Sequence, residues 1–119
     1  MHKPFLIDGL KFDLRLYVLL AGCDPLRIYL YREGLARFAT EPYVAPSNAN
    51  LENVCMHLTN YAINKDNPNF VFNQQVDRMD VGHKRSFTST LKLLQDQGHD
   101  CERIMASIKD LIIKTFCSV

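Results

Sequence analysis

Lys11-Phe-Asp-Leu-Arg-Leu-Tyr-Val-Leu-Leu-Ala21 is the stretch that decides the fold. Its first half alternates polar and apolar residues, and its second half is continuously apolar. Period-two alternation belongs to a strand, and an unbroken apolar run of this length to a strand buried on both faces. The segment is therefore expected to be one long, largely buried strand. Lys11, Asp13 and Arg15 share one of its faces, set between Phe12 and Leu14. Three ionisable groups in a row have two readings: a ligand lying over that face, or a solvated outer face of mixed charge.

On either side, the chain reads as more strands. Pro4 to Ile7 is short and apolar, and Asp8-Gly9 signals a turn. Cys23-Asp24-Pro25 is a second turn, with proline preset for it. Arg27 to Arg32 alternates, with Ile28 and Leu30 on one face and Tyr29 and Tyr31 on the other. Glu33-Gly34 reads as a hairpin turn into a further strand, Leu35 to Thr40. Consecutive strands with short turns make an antiparallel meander. Tyr29, Tyr31, Phe38 and Phe87 are expected in the core, and Arg27 and Arg32 at the surface.

The second half turns helical. Glu41 to Asn53 is irregular, marked by Pro42, Pro46 and several Asn and Ser. Val54 to Ala62 reads as a short strand or extended segment carrying His57, Thr59 and Asn60. His57 is either a satisfied, semi-buried histidine or a base. Cys55 has no base and orienting partner beside it, so a nucleophile is not expected. Asn64 to Asp80 is polar and unpatterned, a loop long enough for a functional role. Ser86 to Gln97 predicts a helix capped by Ser86 and stopped by Gly98. Asp100 caps a last helix from Cys101 to about Ser118, with Ile104, Ile108, Leu111, Ile112 and Thr115 along its apolar stripe. The fold class is thus α/β in the α+β sense: a meander followed by two C-terminal helices.

Composition narrows the function. The 119 residues suffice for one domain at most, and 47% hydrophobic with 23% charged is ordinary for a globular chain. A formal net charge of +1 gives no field pointing to nucleic acid or membrane, and His83-Lys84-Arg85 is too short a basic step to be a nucleic-acid site. No apolar run approaches the roughly 20 residues of a membrane helix, and Met1 to Ile7 lacks the features of a signal peptide. Cys23, Cys55, Cys101 and Cys117 are too scattered for a zinc site and are expected as reduced thiols.

Three strings carry a family likeness: Lys3-Pro-Phe-Leu-Ile-Asp-Gly-Leu-Lys-Phe-Asp-Leu-Arg15, Cys23-Asp-Pro-Leu-Arg-Ile-Tyr-Leu-Tyr-Arg-Glu-Gly-Leu-Ala-Arg-Phe-Ala-Thr40, and Cys55-Met-His-Leu-Thr-Asn-Tyr-Ala-Ile-Asn-Lys65. In order, they resemble the central part of the tubulin tyrosine ligase-like family. The resemblance thins between Pro68 and Gly82 and returns at Gly82 to Phe87 and Ile108 to Thr115. Within the family, the second and third strings look most like the polyglutamylase branch.

The resemblance implies a partial ATP-grasp-like fold, with 1–119 as the central portion of one ligase domain that lacks both its ends. It implies an ATP-dependent ligase that adds glutamate to tubulin tail glutamates through an acyl phosphate. ATP and Mg²⁺ would be the cofactors. Tubulin with its acidic C-terminal tails, microtubules and free glutamate would be the partners, with no nucleic acid and no membrane. Carried over by motif, Lys11 and Asp13 would contact the nucleotide, and Arg15 the phosphates or acyl phosphate. Arg37 would take the carboxylate of the incoming amino acid, where a guanidinium can bind two-pronged. Thr59 and Asn60 would line the ATP site, and Tyr61 and Lys84 the amino-acid site. The family's first ATP-gripping lysines precede this segment, and its magnesium ligands, an Asp and a Glu-x-Asn, follow it, so no metal ligand is expected within the chain. Alone, the segment is expected to bind ATP poorly and to be inactive. The runner-up is a non-catalytic pseudo-enzyme or binding module of the same fold. The expected setting is cytoplasmic and cytoskeletal, with cilium, flagellum or basal body as specialised locations.

Overall fold

Alternation and turn chemistry build a four-stranded antiparallel sheet in the order β1-β2-β3-β4: Leu6–Ile7 (β1), Leu10–Cys23 (β2), Leu26–Phe38 (β3) and Lys84–Ser86 (β4). The computed structural model describes residues 3–73 and 80–118. Single-turn helices Val54–His57 (α1) and Tyr61–Asn64 (α2) precede β4, and Phe87–Asp96 (α3) and Cys101–Cys117 (α4) follow it. The architecture is α+β, as expected.

The turns at Asp8-Gly9 and Asp24-Pro25 form as expected, each closed by a register pair, Ile7 with Leu10 and Cys23 with Leu26. The expected turn at Glu33-Gly34 does not form. β3 runs through it as one strand. The register steps from Leu16 opposite Gly34 to Val18 opposite Leu30, so β3 carries two extra residues in a bulge. Gly34 serves close approach there: a Cβ would stand 2.5 Å from the Arg15 carbonyl oxygen. The bulge turns Glu33 toward α3, where its carboxylate accepts from the N–H of Gly34 (2.9 Å) and of Thr88 (3.1 Å) and from the Thr88 hydroxyl.

One sheet face holds the core. Ile7, Ala36, Phe38 and Leu94 are buried together, with Leu10, Phe12, Leu14, Leu93, Cys101 and Ile104 packed against them. Phe12 stacks on Phe38 with centroids 5.4 Å apart, and the Arg85 guanidinium lies 4.5 Å above the Phe38 ring. Phe38 and Phe87 are core residues as expected, whereas Tyr29 and Tyr31 are 58% and 60% exposed. The expectation that Lys11 to Ala21 is largely buried also fails: the strand is at most half-buried up to Leu16, with Arg15 exposed, and no layer among the described residues covers the far end of the β2–β3 hairpin. Arg27 and Arg32 are at the surface, as expected.

Both long helices begin where local chemistry places them. The Ser86 side chain accepts from Ser89 N–H, and Asp100 from Arg103 N–H. α4 meets the core cluster through Cys101 and Ile104 in its first turn, and Leu111 on its expected stripe is 67% exposed. The radius of gyration of 16.2 Å exceeds the roughly 13.5 Å of a compact chain this long. The loop expected over 64–80 starts as α2 at Asn64, and its part over 74–79 lies outside the described residues.

Candidate functional site

The face of the sheet opposite the core carries the polar row. Asp13 on β2, Arg37 on β3 and Lys84 on β4 are successive register partners, so they stand side by side on one face. Arg37 Nε donates to Asp13 Oδ1 at 2.9 Å, and its Nη2 donates to Oδ2, a two-pronged pair. This hydrogen-bonded carboxylate raises the Arg37 pKa, against a smaller opposing effect of burial, and the guanidinium stays charged at any working pH. Arg15 lies one pleat along the same face and is exposed. Lys11 is on this face too, and its ammonium donates to the His57 carbonyl at 2.6 Å.

A cleft of about 320 Å³ opens over this row. Arg15, Arg37, Thr59, Tyr61 and Lys84, all singled out from sequence, line it together with Phe70 and His83. Asp13 joins the group through Arg37, and Lys11 through the backbone just before Thr59. Asn60 does not line the cleft: it is exposed, and its carbonyl accepts from the Asn64 amide. Among the described residues, three cationic side chains, Arg15, Arg37 and Lys84, stand against the single carboxylate of Asp13. Such a cleft attracts anions with more than one negative group.

The segment over the cleft is not the expected strand. Val54 to Ala62 forms α1, a bend and the start of α2. Helices this short do not hold themselves, and long-range bonds fix them instead. Besides the Lys11 bond, Thr40 N–H donates to the Cys55 carbonyl at 3.1 Å. His57 is satisfied by the Asn50 carbonyl, 2.9 Å from its Nε2, and sits edge-on to Tyr43, as a half-buried structural histidine would.

Aromatic rings close the other side. Tyr61, Phe70 and Phe72 meet edge to face, and Phe70 stacks on His83 at 5.6 Å. The Lys84 ammonium lies 6.0 Å from the Tyr61 ring centre. His83 and Val71 are tied twice: Val71 N–H donates to His83 Nδ1 at 2.9 Å, and His83 N–H donates to the Val71 carbonyl at 3.2 Å. Gly82 permits this approach, since a Cβ there would meet the Val71 oxygen at 2.7 Å. Burial, and then the nearby Arg85 charge, lower the His83 pKa, which keeps Nδ1 free to accept.

Sequence reasoning gave no role to Asn64, Phe70 or His83. Asn64 is 1% exposed and uses its whole amide, a position betrayed only by its long-range partners. Among the described residues no three of His, Cys, Asp and Glu stand together as a metal site, all four cysteines are free thiols, and no helix is long and apolar enough to cross a membrane.

Comparison with known proteins agrees with the likeness of the motifs. Residues 1–119 match the tubulin-tyrosine ligase family. The chain is 68% identical over 118 residues, 99% of its length, to a probable beta-tubulin polyglutamylase of Tetrahymena thermophila, covering 10% of that protein. It is 58% identical over 98% of its length to the tubulin polyglutamylase TTLL13 of Mus musculus, and 51% identical over 99% to the tubulin polyglutamylase TTLL6 of Homo sapiens, covering 14% and 13% of them. The chain thus spans about a tenth to a seventh of the length of these relatives. By its match over all 119 residues, and by its identity to several polyglutamylases of that group, the chain belongs to the tubulin-tyrosine ligase family.

Proposed function

We propose that this chain is the central part of an ATP-grasp-type tubulin polyglutamylase, contributing one wall of its nucleotide and amino-acid sites. The observation that carries the reading is the cleft over the Asp13–Arg37–Lys84 row, with Arg15 beside it and Thr59 and Tyr61 above. A charge surplus of this kind suits a site that must hold phosphates and carboxylates together.

ATP, when bound, would supply the phosphoryl group that converts a tubulin glutamate carboxylate to an acyl phosphate open to attack by the amine of free glutamate. Arg15 would face the phosphates, with Lys11, Asp13 and Thr59 as the polar groups near the nucleotide, while Asn60 lies outside this cleft. The Asp13 pair takes two of the five N–H donors of Arg37 and leaves three for the carboxylate of the incoming glutamate. Tyr61 and Lys84 would close the amino-acid side. Phosphoryl transfer asks the protein mainly for positioning and charge neutralisation, and these side chains offer both. The described residues do not fit Mg²⁺ as a cluster, so its ligands would come from other parts of a longer protein. Activity in a cytoskeletal setting such as the cilium follows from the proposed substrate.

Mass spectrometry of tubulin tails tests the reading. The full-length protein carrying this segment, given Mg²⁺-ATP and glutamate, should extend the tails, and Arg37→Ala should abolish the addition. No addition by a folded full-length protein would overturn the ligase reading in favour of a non-catalytic module.

A further inference from the structure

Besides the Lys11–His57 and Thr40–Cys55 bonds, a buried amide joins the bend over the cleft to the backbone just past β3. Asn64 Oδ1 accepts from Thr40 N–H at 3.1 Å and from the Thr40 hydroxyl at 2.7 Å. Asn64 Nδ2 donates to the Leu58 carbonyl at 2.9 Å and to the Asn60 carbonyl at 3.0 Å. Both donors and both lone pairs of the amide are used. Thr40 lies three residues beyond Arg37 on the same run of backbone, and Leu58 and Asn60 flank Thr59. A slot that needed only filling would hold an apolar residue, since burying an amide is costly unless every group is paired.

We infer that Asn64 is a positioning residue, whose side chain fixes the Leu58–Asn60 bend against the end of β3 and so sets Thr59 relative to Arg37. Lys11 pins the His57 carbonyl just before the bend, and the backbone N–H groups of Ile63 and Asn64 also donate to the Asn60 carbonyl, so the Asn64 side chain matters most at the Leu58 carbonyl, immediately before Thr59. The inference rests on the nucleotide role proposed for Thr59. It predicts that Asn64 acts on nucleotide affinity without touching the nucleotide.

The test uses the full-length protein in the tail-glutamylation assay, with ATP varied. Asn64→Asp keeps the acceptors for Thr40 but loses the donors to Leu58 and Asn60. It should raise KM for ATP by roughly ten-fold and leave kcat within about three-fold, the signature of a misplaced binding group. Leu94→Val, in the core on the opposite face, supplies a matched loss of melting temperature and should leave KM within about two-fold. An Asn64→Asp protein that melts lower with KM unchanged, beside a Thr59→Ala protein with KM raised, would overturn the role of Asn64 alone. Unchanged KM in both would overturn the nucleotide reading of the bend, and this inference with it. If Asn64→Asp does not fold, amide exchange of the unsubstituted protein decides. A non-hydrolysable ATP analogue should slow exchange at Thr40 together with Thr59 to Tyr61, and slowing at Thr59 to Tyr61 without Thr40 would overturn the coupling.

Discussion

Asp13 and Arg37 lie directly opposite each other on neighbouring antiparallel strands and close a two-pronged ion pair on the polar face of the sheet. The pair is half-buried, with side chains 39% and 20% exposed. It gives the guanidinium one orientation while leaving three of its donors free.

Asp13→Asn should therefore cost about 1 kcal/mol of stability, the upper range for a partly exposed pair and reasonable for a two-pronged one. In the full-length protein it should also raise KM for glutamate more than it lowers kcat. Urea unfolding and a double-mutant cycle with Arg37→Gln check the pair, and a coupling energy near zero would refute it.

Glu33 gives a pH-dependent prediction. Partial burial pushes its pKa up, but hydrogen bonds from the Thr88 side chain and from the N–H groups of Gly34, Thr88 and Phe87 outweigh this and hold it below the ordinary 4.5. A depressed carboxylate contributes stability that is present above the unfolded pKa and lost as pH falls through the folded one. Glu33→Gln should cost about 0.5–1 kcal/mol at pH 7, as a charge lost at a helix N-terminus. In melts at a series of pH values, the gap between the two proteins should close as pH drops below about 4.5.

His83 works in a higher window. Its folded pKa lies below 6.5, because burial and then Arg85 disfavour the imidazolium. Between the two values the unfolded chain holds more protons than the folded one, so stability falls as pH drops below about 6.5. Protonation of Nδ1 would also place a donor against Val71 N–H. The unsubstituted protein should lose melting temperature between pH 7.5 and 5.5, and His83→Gln should lose less. Parallel losses would show that the Val71 tie does not depend on the neutral ring.

Gly34→Ala probes the bulge. Its added Cβ would meet backbone, not a flexible side chain, at 2.5 Å from the Arg15 oxygen. A cost of about 2–3 kcal/mol is expected, in the range of overpacking. A loss below about 0.5 kcal/mol in urea titration would mean that the two strands do not approach there as described.

Much of the frame was legible because it is local. Ser86 and Asp100 start their helices through hydroxyl and carboxylate contacts three residues ahead, and Asp8-Gly9 and Asp24-Pro25 turn the chain within two residues. The shared face of Lys11, Asp13 and Arg15 follows from the two-residue strand period. Glu33-Gly34 was misleading because its composition is that of a hairpin turn. β2 remains paired on both sides of it, so the extra residues enter a bulge. Tyr29 and Tyr31 alternate as core residues would, yet no described layer covers them. Val54 to Ala62 reads as extended only until Lys11, Thr40 and Asn64 supply the bonds that hold two helical turns.

The strings around Lys11, Arg37 and Thr59 were enough to place the chain in its family and to choose the residue types of its cleft, since charge, amide and turn chemistry are written residue by residue. Which of those residues meet was decided by tertiary structure. Arg37 stands opposite Asp13 because of the register set by the two-residue bulge in β3 together with one extra residue in β2 between Leu20 and Gly22, and a buried amide at Asn64 ties the residues on either side of Thr59 to Thr40. Register and long-range hydrogen bonds depend on partners many residues away, and local periodicity carries no record of them.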